Sequence, residues 1–126
     1  MFRCVSLAAL GLLVAASVQA QVTRQFPATA LRGEVLVTQP PEILVNGKPA
    51  LLAPGARIRR QDNMLVMSGA IVGQKLIAHY TIDSLGSVHD VWVLSADEMA
   101  KRPWPTTPQQ AQQWSFDWSA QAWTKP

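Results

Sequence analysis

This chain lacks most of the features by which catalysis announces itself. Its one cysteine, Cys4, stands ahead of an apolar run at the N-terminus. Once that run is removed as a leader, no thiol remains, which excludes a disulfide, a thiolate metal site and a cysteine nucleophile. The sequence contains no Gly-x-Ser-x-Gly elbow, no His-Glu-x-x-His pair, no phosphate-cradling glycine loop and no dinucleotide fingerprint. His89 and Asp90 are neighbours on an expected strand, where alternation sends side chains to opposite faces and rules out a relay. Neither an enzyme nor a cofactor is expected.

Charge of either sign is also scarce. Lysine and arginine number 11 against 8 acidic residues, and loss of Arg3 with the leader lowers the formal charge from +3 to +2. That balance is too weak to imply nucleic acid or a strongly acidic surface. Long apolar runs are missing outside the leader. Val5 to Val18 itself is short for a membrane span.

What the N-terminus does have is an export address. Met1-Phe2-Arg3 gives a basic start, the apolar run follows, and Val18-Gln19-Ala20 places small residues where a signal peptidase reads. We expect cleavage after Ala20 and a protein exported to the periplasm or beyond. Cys4 precedes the apolar run, so it is not placed as a lipid-acceptor cysteine would be.

The remainder reads as one domain, an extended lead-in over 21–32 followed by a small β domain over 33–102 and a compositionally distinct tail over 103–126. Lys75 to Leu94 organises it as a hairpin. Leu76, Ala78, Tyr80 and Ile82 share one side of the first arm, Val88 to Leu94 forms the second, and Asp83 to Ser87 supplies the turn. Glu34 to Thr38 is an earlier strand, stopped by Pro40-Pro41. Asn46-Gly47 between Ile43-Leu44-Val45 and Lys48 to Leu52 is the strongest short turn signal in the chain, and Pro49 predicts an edge there. Pro54-Gly55 predicts a further turn. Met64-Leu65-Val66-Met67 has no polar face and is expected to be buried on both sides. Ser68 to Gly73 predicts a bulge or sharp bend.

About six short strands with regular turn signals point to a small barrel or sandwich of OB- or SH3-like size. Ser95-Ala96-Asp97-Glu98 is a capping box for a helix of one or two turns. In the tail, Thr107-Pro108 opens a second helix by pattern, while Trp114, Phe116 and Trp118 alternate as in a strand. The glutamine-rich surroundings admit disorder as a third reading.

Three groups of residues are candidates for function. Four of the five tryptophans lie in the tail, and Trp104, Trp114, Phe116, Trp118 and Trp123 would suit docking on a protein or envelope partner. The alternative is that the tail folds back and caps the barrel. Lys48, Arg57, Arg59 and Arg60 form a basic cluster able to meet an anion, or else an ordinary solvated strand face. Those strands carry no aromatics, which argues against nucleic acid. His79 and His89 sit on opposite arms of the hairpin, and with a carboxylate they would make a metal site, although their spacing matches no established ligand motif. The expected function is an exported, non-enzymatic binding module, with a metal or small-ligand binder as the alternative and a cell-wall or polymer hydrolase third.

Overall fold

The computed structural model describes residues 23–126; the expected leader over 1–20 lies outside the described residues. β1 (Leu31–Gln39), β2 (Glu42–Val45), β3 (Lys48–Arg59), β4 (Leu65–Val66), β5 (Lys75–Ile82) and β6 (Val88–Val93) form one sheet of order β2-β1-β5-β6-β3-β4. Because β2 also pairs with β3, five of these strands close on themselves. The closing seam is a parallel contact between β3 and β6, in a sheet otherwise antiparallel. This cyclic order β1-β2-β3-β6-β5 is that of an OB-type barrel, and closure removes most free edges.

Local chemistry explains the corners. Asn46 and Gly47 take φ of 53° and 78°, the two positive values of a type I′ hairpin, and Val45 pairs directly with Lys48. The Asn46 side chain then accepts from the Glu34 amide at 2.9 Å. Glycine at residue 33 suits this close approach of β1: a Cβ there would lie 2.9 Å from the Asn46 side chain and 3.1 Å from the Tyr80 ring, so both would have to shift. Pro49 lies on the part of β3 that pairs only with β2, since pairing with β6 begins at Leu52. In the β5–β6 turn the Asp83 carboxylate accepts from the amides of Leu85 and Ser87, both at 2.9 Å.

The barrel interior is apolar. Val35, Val37, Ile43, Ile58, Ala78, Tyr80, Val88, Val91 and Val93 are buried together with Leu31, Leu52 and Ile71. Burying side chains of this size contributes roughly 1.5–3 kcal/mol each before entropy is counted.

Three expectations are corrected. β1 begins at Leu31, inside the expected lead-in. Pro54-Gly55 does not end a strand: β3 continues through Gly55, whose φ of 77° bends it where its register against β6 shifts between Leu52 and Arg57. Met64 to Met67 is not doubly buried. Its Leu65–Val66 core is an outer edge strand paired only with β3, and Met67 is 81% exposed. The apolar pattern there carried no information about which side of the closed barrel the strand would join. Of the bulge or sharp bend expected over Ser68 to Gly73, the structure has the bend, a 3-10 turn at Ser68–Ile71.

A second layer lies outside the barrel. α1 (Ala96–Ala100) carries the expected reciprocal cap, Ser95 with Glu98. α2 (Pro108–Gln113) is capped by the Thr107 side chain, with Pro108 in the first turn. β7 (Ser115–Asp117) and β8 (Ala122–Thr124) then pair, with Phe116 opposite Trp123. The tail thus holds a helix and a strand in succession, each shorter than expected: the helix ends before Trp114, and the strand holds Phe116 but neither Trp114 nor Trp118. Among the described residues, no helix is long and apolar enough to cross a membrane.

Candidate functional site

The seam between barrel and second layer is built on the outer faces of β5 and β6. Alternation that sends Ala78 and Tyr80 inward turns His79 outward, opposite Trp92 on β6. Phe26 from the N-terminal segment lies against both residues and Trp104 from the tail against His79, and with Trp123, Ala30 and Leu94 they form a second core. Trp104 stacks on His79 with ring centroids 4.0 Å apart and planes 22° apart, and its Nε1–H donates to the Ala30 carbonyl at 2.9 Å. Phe26 meets both rings edge-on, at 4.4 Å from His79 and 5.9 Å from Trp104.

Two arginines brace this layer. The buried Arg24 side chain is paired with the Glu98 carboxylate and donates to the carbonyls of Arg60 and Val93 at 2.9 and 2.8 Å. Glu98 is thereby held by its own cap and by Arg24 at once. Arg32 donates to the carbonyls of Glu98, Met99 and Lys101, and through Nε to His79 Nε2 at 3.1 Å. Gln121, held at a φ of 50°, accepts from the Phe26 amide at 2.8 Å and so ties the tail hairpin to the N-terminal segment.

These contacts define the protonation of His79. A guanidinium can only donate, so His79 Nε2 accepts and Nδ1 carries the proton of the neutral ring. Burial, then the charges of Arg32 and Arg24, lower the His79 pKa to about 2. Nδ1–H has no hydrogen-bond partner, and the same is true of the Trp123 indole N–H. Both residues are at least nine-tenths buried. Among the described residues these are the two buried side-chain polar atoms left unpaired, and both fall in the seam. An unpaired buried donor costs about 1–3 kcal/mol, so two in one place single it out.

The residue that carries each orphan lines a cleft, with the donor atom itself shielded from the surface. An inner cleft of about 670 Å³ is walled by His79, Phe26, Arg24, Glu98, Lys101 and Gln121. A more open outer cleft of about 830 Å³ is walled by Trp123, Trp114, Arg32, Arg102 and Lys125. Trp104 lines both. Burial lowers the Arg32 pKa first, and the neighbouring charge of Arg102 lowers it further.

The residues singled out from sequence are distributed as follows. Trp104 and Trp123 are each 5% exposed and belong to the second core, Trp114 and Phe116 are half-buried against it, and Trp118 is 50% exposed. The tail thus folds back on the barrel. Lys48 lies at the opposite end of β3 from Arg57 and Arg59, so it does not join them. Arg59 donates to the Asn63 carbonyl at 3.2 Å, Arg60 pairs with Asp62 at 3.6 Å, and Arg57 stands in register with Asp90.

His79 is enclosed in the seam, while His89 sits half-buried beside Asp90. The expectation that His89 and Asp90 face apart is overturned. A register shift in the β5–β6 pairing lets Val88 and Val91 both point inward, leaving the two residues between them on the outer face. His89 Nδ1 lies 3.1 Å from Asp90 Oδ2, and Thr81 donates to the same oxygen at 3.2 Å. The pair lines neither seam cleft.

Arg24, Arg32, Arg102 and Gln121 were not signalled as site residues. The available hint was adjacency, with Arg102 two positions before Trp104 and Lys125 two after Trp123. Compared with family models, curated proteins and solved structures, the chain matches none.

Proposed function

We propose that this is an exported, non-enzymatic binding module of the bacterial envelope that holds its ligand in the seam between barrel and tail. The observation that carries this reading is the placement of both unpaired buried donors, His79 Nδ1–H and Trp123 Nε1–H, in side chains that line the two seam clefts. A ligand presenting acceptors would satisfy donors that the fold leaves unpaired once these rings turn toward the clefts, and the enclosing aromatics would supply apolar contact. Export rests on the basic start, apolar run and small-residue cleavage signal of residues 1–20. Barrel topology alone assigns no ligand.

This differs from a loose aromatic tail that captures a partner, because the tryptophans most suited to capture are used within the fold. A metal at His79 has less support than a neutral or anionic ligand. Arg24 and Arg32 already oppose a proton on that ring and would oppose a metal cation in the same way.

Two measurements test the reading. Fractionating cells that carry a C-terminally tagged chain should place it outside the cytoplasm, with Gln21 as its N-terminus. Melting of the purified chain with envelope fractions should then reveal at least one stabilising fraction, since a ligand at a hundred times its Kd adds about 2.7 kcal/mol. The shift should vanish in His79→Phe or Trp123→Phe. A cytoplasmic chain, or no stabilising fraction, would contradict it.

A further inference from the structure

The outer cleft has an unbalanced charge. Three cations, Arg32, Arg102 and Lys125, line it, and no aspartate or glutamate does. Among the described residues neither Arg102 nor Lys125 forms an ion pair, and Arg32 spends its donors on carbonyls and on His79. Like charges brought together without a counter-charge favour an anion, and the partly desolvated Arg32 strengthens that preference. Interleaved with the cations are neutral hydrogen-bonding groups, the side chains of Thr106, Gln110 and Thr124. Gln110 accepts through Oε1 from the amide and hydroxyl of Thr106, leaving its amide NH₂ to donate elsewhere. The unpaired, buried Trp123 N–H is in a ring that lines the same cleft.

We propose that the outer cleft binds an acidic saccharide, a chain of pyranose rings bearing carboxylates. Carboxylates meet Arg102 and Lys125 at the open rim. Ring hydroxyls and ring oxygens meet Gln110 and the threonines, and a small turn of the Trp123 ring would bring its buried N–H to them. The arrangement suits sugar rings better than nucleobases. Single-stranded nucleic acid needs open aromatic faces for stacking, yet Trp104 and Trp123 are each 5% exposed and the Lys125 ammonium sits 5.4 Å from the Trp114 ring centroid. The proposal rests on the reading of the seam as a binding site and names its ligand class.

The test is calorimetric titration of the purified chain with a short oligogalacturonate. Its fully methyl-esterified form and a short oligothymidylate serve as controls. Saturable binding of the acid is expected, lost on esterification and at least tenfold weaker in the Arg102→Gln/Lys125→Gln double variant. Both side chains are exposed, so melting of that variant should match the parent. Trp123→Phe keeps the ring, removes the donor and should weaken binding several-fold.

No saturable binding, equal binding of the ester, equal or tighter binding of oligothymidylate, or an unaffected double variant would each overturn the proposal. If an envelope fraction still stabilises the parent chain in that case, the saccharide assignment falls and the seam stands. If no fraction does, both fall.

Discussion

Arg32 Nε and His79 Nε2, 3.1 Å apart, form the contact on which the seam turns. Arg32 comes from β1 and His79 from β5, at positions paired across the two strands. The contact fixes the imidazole as neutral, directs its remaining proton to Nδ1, and sets the ring against Trp104. One hydrogen bond thereby links strand pairing, protonation state and the docking of the tail.

Stability should fall as pH drops through the ordinary histidine range. Folded His79, with its pKa lowered to about 2, stays neutral, whereas the unfolded chain takes up a proton near pH 6.5. The unfolded state therefore binds more protons, and its advantage grows as pH falls between those values. From pH 8 to pH 5 the loss is about 2 kcal/mol from this group, most of it below pH 6.5. Urea denaturation across that range should show the slope, and it should flatten in His79→Phe whatever that variant's absolute stability.

Trp104→Ala should destabilise the whole domain by about 3–5 kcal/mol, the cost of a large aromatic cavity. It also loses the bond to the Ala30 carbonyl. Trp118→Ala, at a half-exposed site, should stay within about 0.5 kcal/mol of the parent. Removing residues 103–126 should likewise lower the melting temperature, because the second core loses Trp104 and Trp123 together. A truncated chain that melts like the parent would mean that the tail does not pack as described.

Arg24→Ala should cost about 3–5 kcal/mol. It leaves a largely buried Glu98 carboxylate without its partner and abandons the carbonyls of Arg60 and Val93. Glu98→Gln removes the charge while keeping a side chain able to cap Ser95. The double variant Arg24→Ala/Glu98→Gln should recover part of the loss, and chemical denaturation of the parent, the two single variants and the double gives the coupling directly.

The sequence yielded those features that short-range chemistry decides. Asn46-Gly47, the Ser95–Glu98 box and the Thr107-Pro108 helix start depend on a few adjacent residues and appear where expected. The barrel class followed from strand spacing. Features decided across the fold were not legible. Met64 to Met67 has the composition of a central strand, and only the order of closure leaves it at an edge. His89 and Asp90 share a face because of a register shift that no residue type marks. The seam itself joins Arg24, Phe26, His79, Trp104 and Gln121 from distant parts of the chain, so spacing could not announce it.

The most direct test of the central claim is a ¹⁵N–¹H NMR spectrum of the indole and imidazole groups, recorded with and without an envelope fraction. The account predicts that the Trp123 Nε1–H or His79 Nδ1–H resonance moves as a ligand engages it. Trp104 Nε1–H, already bonded to Ala30, should hold its position or shift far less. If neither orphan resonance responds to any fraction, the seam is packing alone and the binding function assigned to it is wrong.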